Sequence, residues 1–490
     1  MLVLRIGGFE KYDLKKSLWL NKQEKEKYRK KNISYSFESK KNKIASDRKI
    51  KRSKYNIFHK KNNMSVLWNT ISDACVLFNE KETQYYEDND FILMSTDFNE
   101  ALYELGFLVD EDINELFYIN LMRHEFSYSY PSSKHVDIEI LPTQACNAKC
   151  FYCFQKDYRS ITMDDEIVEQ VIEYISNSVT EENDIRYIWF GGEPLLVPHI
   201  IDKIIKGVNS KVCNQVEYHS SIATNGILIY EETIEKFVNG WNVDDVVITI
   251  DGYKEEHNKR KALQDKEIDA YFVAMNNIKK LVEMGIHVTC RINLDKDNES
   301  QLDLILAEFK EYVHYENFSV QVTTLRDKVT IGGVDKSKYI CPSEYREFYQ
   351  KAMNSLKKVG LLKRPLSLLP IKYNANCIAC SLNKIVINSN GKLFKCVQDS
   401  MGNENAVGDC KSGIRVNDNF SMWYRDVDDL GNECNNCTLL PCCHGGCKLY
   451  RIKPSEDTTK CLRTKYYLNI ILDEIINVYG GNVTNGVSNC

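Results

Sequence analysis

Three thiols fall within eight residues in CNAKCFYC, at Cys146, Cys150 and Cys153, with Tyr152 directly before the last. Cysteine thiolates bind zinc and iron-sulfur clusters, and structural zinc normally takes four protein ligands. Three ligands are one short of a closed site. A [4Fe-4S] cluster held by three cysteines leaves one iron open to a small molecule, which suits a cluster that must act on that molecule directly. A zinc knuckle is the alternative.

A second cysteine field runs from Cys377 to Cys461. In CIACSLNKIVINSNGKLFKC, Cys377 and Cys380 precede Gly391 and Cys396. CNNCTLLPCCHGGC then supplies Cys434, Cys437, Cys443 and Cys447, and Cys461 closes the series. The surrounding sequence is rich in Gly, Asn and Asp and cannot build much apolar core, so ligation is expected to hold it together. A zinc ribbon is the competing assignment, since paired cysteines also build those. Cys442 is surplus to the spacing, and His444 with the two glycines after it shapes the loop. Cys75, Cys213, Cys290, Cys341, Cys410 and Cys490 match no ligand pattern, and Cys290 reads as core.

These residues need a frame. Strand-like segments at 136–143, 185–192, 217–224, 244–251, 286–293 and 318–325 alternate with amphipathic helical patterns such as DEIVEQVIEYISNSV and YFVAMNNIKKLVEMG. Six strand-helix units predict a parallel sheet with right-handed crossovers, enough for an incomplete barrel. In such barrels the working residues gather at the C-terminal strand ends. The triplet follows the first strand. Gly191, Gly192, Glu193 and Pro194 end the second, Thr224 and Asn225 the third, Asp251 the fourth, and Arg291 and Asn293 the fifth. Paired glycines permit close backbone approach, and a carboxylate can receive an ammonium group.

The CxxxCxxC loop, including the aromatic Tyr152, resembles that of the radical S-adenosylmethionine (radical SAM) superfamily. The resemblance implies a partial (β/α)6 TIM-like barrel. It also implies a [4Fe-4S] cluster on Cys146, Cys150 and Cys153, with SAM chelating the open iron through its amino and carboxylate groups. Reductive cleavage of SAM would give a 5'-deoxyadenosyl radical that abstracts hydrogen from an unactivated carbon. Gly191 to Pro194 would recognise the methionine amino group, while Thr224, Asn225, Asp251, Arg291 and Asn293 resemble the family's ribose and carboxylate contacts. The second field is similar to the SPASM extension of peptide-modifying members. That likeness implies two auxiliary [4Fe-4S] clusters, one on Cys377, Cys380, Cys396 and Cys447 and one on Cys434, Cys437, Cys443 and Cys461. Whether both Cys377 and Cys380 ligate is left open. Auxiliary clusters suit an oxidative modification, because a carbon radical needs an oxidant before it can form a new bond.

The chain of 490 residues, 43% hydrophobic and 27% charged, has the composition of a soluble globular protein of two or three domains. Without a signal sequence or a long apolar run it is expected in the cytoplasm, where its 18 cysteines read as metal or redox chemistry, not disulfides. Residues 11–61 carry 19 Lys and Arg against 5 acids. The expected order is a basic disordered tail (1–63), a small α+β accessory domain that is a candidate leader-peptide binder (64–130), and the barrel (131–330). A helical linker (331–376), an irregular cysteine-rich cluster domain (377–470) and a closing helix with its tail (471–490) follow.

The leading function is maturation of a ribosomally made precursor peptide by thioether or carbon-carbon crosslinking, with flavodoxin or ferredoxin as electron donor. Neither membrane nor nucleic acid is expected as a partner. The runner-up is an anaerobic sulfatase maturase forming formylglycine. That group carries an Asp directly after the Gx4C cysteine, whereas CVQD here puts Asp399 three positions later. His257 and Asp399 are candidate bases. A zinc-structured peptide- or RNA-binding adaptor is the non-catalytic alternative.

Overall fold

The computed structural model describes residues 1–5, 46–89, 91, 93–94, 97–128, 135–155, 161–180, 183–212, 216–325, 336–362, 364–370, 377–425, 430–454 and 460–481. The remaining 6–45 part of the basic arm, Cys213 and Cys490 lie outside the described residues.

Strands β1 (Leu2–Arg5), β2 (Ser46–Arg52), β3 (Asn56–Lys61), β4 (Met64–Asn69) and β5 (Cys75–Phe78) lead into helix α1 (Glu80–Asp88). Strand β6 (Leu93–Met94), helix α2 (Asp97–Glu104), strand β7 (Leu108–Asp110) and helix α3 (Glu115–Tyr128) follow. The strands pair in two sheets, β1-β5-β4-β3 and β6-β2-β7. This corrects the expectation of a disordered tail up to residue 63, because residues 46–61 are part of the accessory unit. Half-covered strands need apolar residues only at intervals: on β2, Ile50 is buried while Lys49 and Arg52 are exposed. Lysines on the edge strand β3 discourage further pairing. As the sequence suggests, α2 is stopped at Gly106, which takes a left-handed φ of 82°.

The six expected barrel strands are β8 (His135–Ile140), β9 (Asp184–Trp189), β10 (Glu217–Thr224), β11 (Val243–Ile250), β12 (His287–Leu294) and β13 (Phe318–Thr324). They run parallel in chain order. Around them lie α4 (Asp165–Ser178), α5 (Pro198–Lys211), α6 (Glu231–Asn239), α7 (Glu255–Lys261), α8 (Ala270–Glu283) and α9 (Leu302–Glu308). The local causes are legible. Asp164 and Asp269 cap α4 and α8 by accepting from Ile167 N and Phe272 N, and Pro198 opens α5. Ile200, Ile201, Ile204, Ile205 and Val208 give α5 one apolar stripe against the sheet. On β12, Val288, Cys290 and Ile292 alternate into the core, leaving Thr289 and Arg291 on the other face.

The sheet does not stop at six strands. After helix α10 (Tyr345–Lys358), the cysteine-rich region contributes β14 (Lys384–Ile387), β15 (Lys392–Phe394), β16 (Gly408–Asp409) and β17 (Gly413–Ile414), extending it to ten strands. Strand β14 lies parallel to β8, from Lys384 opposite Asp137 to Ile387 opposite Ile140. The region expected to be irregular is thus joined to the barrel edge. The closing helix α11 (Thr464–Tyr479) begins earlier than expected and packs Leu468, Ile471, Leu472 and Ile475 against Val66, Trp68 and Leu77 of the accessory sheet. No helix among the described residues is long and apolar enough to cross a membrane.

Candidate active site

The triplet loop leaves β8 and meets the end of β9 backbone to backbone. Gly192 N donates to Thr143 O at 3.0 Å and Glu193 N to Ala145 O at 2.9 Å. A Cβ on Gly192 would stand 2.1 Å from Ala145 O, and one on Gly191, at φ 128°, 2.2 Å from Thr143 O. The glycines are therefore required by the approach of one chain segment to another.

Glu193 is fully buried. Its Oε1 accepts from Thr224 Oγ1 (2.8 Å) and Leu195 N (3.2 Å), and its Oε2 from Asn225 N (2.8 Å). Burial raises its pKa against the opposing pull of these donors and of Lys261. This carboxylate clamps the ends of β9 and β10 together. Pro194 starts the short 3-10 turn that Glu193 caps. Asn225 Nδ2 continues the chain of bonds to Asn147 Oδ1 at 2.7 Å, inside the triplet loop.

A second network joins Tyr152, Asp251 and Asn293. Tyr152 donates to Asp251 Oδ2 at 2.6 Å and Asn293 Nδ2 to Asp251 Oδ1 at 2.9 Å. Although burial works against its charge, the Lys261 ammonium 3.0 Å away, with these donors, holds the Asp251 carboxyl below its ordinary value. Arg291 stands apart, its Nε donating to Gln321 Oε1 at 2.8 Å.

Sequence reasoning missed the segment that braces the loop from the other side. Lys149 N donates to Lys261 O (2.9 Å), Gln264 N to Asn147 O (2.9 Å) and Gln264 Nε2 to Cys146 O (3.0 Å). No motif marks Lys261 or Gln264. His257, a candidate base, is fully buried, and its Nδ1 accepts from Asp251 N at 3.1 Å. Burial and Lys261 push its pKa down to about 3. It supports the strand end and is not placed to take a proton from a substrate. Gln155, two residues beyond Cys153, is 1% exposed, and neither end of its amide has a partner among the described residues.

In the second field, Cys434, Cys437, Cys443 and Cys461 line one cavity with Lys460 and Lys465. Gly446 makes this possible, since a Cβ there would stand 1.6 Å from Lys460 O. Arg451, also unforeseen, donates from Nη2 to Cys434 Sγ at 2.8 Å and from Nε to Gly445 O at 2.6 Å. Cys377, Cys396 and Cys447 pack together around Ala379, Trp423 and Leu449. Cys380 is buried, with Cys377, Lys448 and Lys395 as its titratable neighbours. Cys442 points elsewhere, its Sγ donating to Thr70 O at 3.6 Å. Asp399 is buried against Lys453 (2.5 Å) and Asn405 (3.1 Å), so it is not a free base either. Among the described residues no three His, Cys, Asp or Glu side chains could hold a single metal ion.

The family model for the radical SAM superfamily matches residues 140–307, the stretch that carries the triplet and the ends of β8 to β12. Residues 140–307 are a radical SAM domain. Such a domain implies one [4Fe-4S] cluster and SAM, and the three-thiol loop has the donor set for that cluster. The protein is an enzyme that carries this domain, and the chain is similar to anaerobic sulfatase maturases. It is 23% identical over 366 residues to a serine-type anaerobic sulfatase-maturating enzyme of Bacteroides thetaiotaomicron, covering 67% of this chain and 86% of that one. An uncharacterized protein of Methanocaldococcus jannaschii is 34% identical over 104 residues, which is 21% of this chain and 34% of the relative's length. The fold is similar to that of native anSMEcpe with bound AdoMet and Kp18Cys peptide, with a TM-score of 0.57 and 18% identity, covering 71% of this chain and 99% of that one.

Proposed function

We propose that this radical SAM enzyme oxidises a peptide side chain, and that its substrate is a ribosomal precursor peptide in which it forms a thioether or carbon-carbon crosslink. The observation that carries this is the pairing of β14 with β8. Strand β8 leads into the triplet loop, while β14 leads through the Gly391 turn to Cys396, and Ser389 Oγ donates to Leu141 O at 2.7 Å between them. The two cysteine fields thus leave the same sheet edge, an arrangement that would suit an electron acceptor working beside a radical source.

Cys146, Cys150 and Cys153 would hold the SAM-binding cluster. Cys377, Cys380, Cys396 and Cys447 would hold one auxiliary [4Fe-4S] cluster, and Cys434, Cys437, Cys443 and Cys461 the other. When bound, cluster and SAM supply a primary carbon radical that takes a hydrogen atom from an unactivated carbon. The protein's own residues then orient and exclude. Glu193, Thr224 and Asn225 fix the loop that presents the cluster. Tyr152, Asp251, Asn293 and Lys261 fix its far side. Arg291 keeps guanidinium donors for the SAM carboxylate, and the backbone of Gly191 and Gly192 is left for its amine. Crosslinking would take one hydrogen atom from the peptide, then a proton and an electron as the new bond closes, and the two sets of four cysteines would hold the clusters able to accept that electron. A flavodoxin or ferredoxin would supply the reductant. The accessory unit is the candidate leader-binding surface.

Formylglycine formation in a sulfatase is the second reading, favoured by the relatives named above and by the peptide bound in anSMEcpe. Against it, Val397 follows Cys396 where that group carries Asp, and Asp399 is engaged by Lys453. Co-expression with a candidate precursor peptide and tandem mass spectrometry separates the two. Two residues of one peptide joined with loss of a hydrogen pair supports crosslinking, whereas a product trapped by hydrazide at a single Ser or Cys supports the sulfatase reading. Colourless, zinc-containing protein after anaerobic purification would instead favour the adaptor.

A further inference from the structure

Tyr55 sits in the turn between β2 and β3, far in sequence from any cysteine ligand, yet it packs on the second cysteine field. It is 0% exposed within a cluster containing Ile71, Tyr118, Leu430 and Leu440, against which Cys434 also packs. The residues beside it grip the same loop. Lys54 Nζ donates to Asn435 O (2.8 Å) and Asn436 Oδ1 (3.1 Å), and Thr70 Oγ1 donates to Thr438 O at 2.6 Å. The Tyr55 hydroxyl itself has no hydrogen-bond partner among the described residues. A buried hydroxyl without a partner is costly and rare. Its titratable neighbours are Glu115 and Cys437. Both Glu115 oxygens already accept, from Ser53 Oγ at 2.6 Å and Lys54 N at 2.8 Å. Burial, with these two neighbours, raises the phenol's pKa, so it stays a neutral donor.

We propose that the Tyr55 hydroxyl donates a hydrogen bond to sulfur on the Cys437 side of the cluster held by Cys434, Cys437, Cys443 and Cys461, making the N-terminal unit part of that cluster's wall. The inference rests on the auxiliary-cluster reading given above. Hydrogen bonds to cluster sulfur stabilise the more negative, reduced state and raise the potential. Tyr55 is in this sense a positioning and tuning residue.

The test uses the full chain reconstituted anaerobically, with iron and sulfide counted and the electron paramagnetic resonance signal that vanishes in Cys437→Ala assigned to this cluster. If the wild type shows no Cys437-dependent signal, the auxiliary-cluster reading itself fails and this proposal with it. With the signal present, redox titration of Tyr55→Phe is expected to show about a tenfold lower reduced-to-oxidised ratio at fixed potential, about 59 mV for one electron. Tyr86→Phe, a hydroxyl deletion in another part of the same unit, should leave the ratio unchanged. Should Tyr55→Phe load poorly, 3-fluorotyrosine at position 55, a stronger donor of nearly the same size, should shift the potential upward. An unchanged potential in a fully loaded variant overturns the proposal and leaves the cluster reading standing.

Discussion

The Lys261 ammonium lies 3.0 Å from Asp251 Oδ2, with the two side chains 2% and 0% exposed. The same residue's carbonyl accepts from Lys149 N, so one lysine ties the end of β11 to the loop carrying Cys146, Cys150 and Cys153. A buried ion pair adds little net stability, but breaking it from one side leaves a charge without compensation.

Lys261→Met should accordingly destabilise the protein by about 3–5 kcal/mol, read from urea unfolding of the full chain. Replacing Asp251 with Leu in the same chain should recover much of that loss. A single variant within about 1 kcal/mol of wild type would mean that Tyr152 and Asn293 satisfy Asp251 unaided.

His257 predicts an acid-sensitive slope. Its folded pKa of about 3 lies below the ordinary 6.5, so the unfolded chain binds the proton more readily. Its contribution is complete above about pH 6.5 and is lost as the pH falls toward about 3, at up to about 1.4 kcal/mol per pH unit. In His257→Gln the stability curve should flatten over this window. Parallel curves for the two proteins would contradict the assignment.

The close backbone approaches separate the two cysteine fields. Gly192→Ala drives a Cβ into Ala145 O, and Gly446→Ala drives one into Lys460 O. The first should cut deoxyadenosine formation by roughly a hundredfold, the scale of a misplaced reacting group. The second should spare deoxyadenosine formation and lose about four of roughly twelve irons. Equal losses of deoxyadenosine formation in both would argue against separate sites.

The barrel was legible because most of its strands alternate apolar and polar residues, as in His287–Leu294, and its longer helices carry a stripe at helical spacing, as in Ile200, Ile201, Ile204 and Ile205. Residues 46–61 were misread because Ile50 and Tyr55 are scattered among lysines, and only pairing with β7 and β4 reveals which face is covered. Strand β14 was overlooked for a different reason: KIVI lies amid cysteines and polar turns, and its partner is 247 residues away at Lys384 and Asp137. The cysteine fields announced themselves through spacing. Lys261, Gln264 and Arg451 did not, because a bracing role comes from contacts between distant segments and leaves no local pattern.

Arg451 offers a test of the second field. Arg451→Met removes the guanidinium from Cys434 and Gly445, and should lower iron by about one four-iron cluster. Arg451→Lys keeps the charge without the fork and should retain an intermediate amount. Full iron content in both would show that the contact is incidental.

The most direct measurement is of 5'-deoxyadenosine. Anaerobically reconstituted protein given SAM and dithionite should release it, and Cys146→Ala, Cys150→Ala and Cys153→Ala should each abolish release while the auxiliary iron remains. Fully iron-loaded protein that releases none, or a triplet variant that releases it at the wild-type rate, would contradict the account.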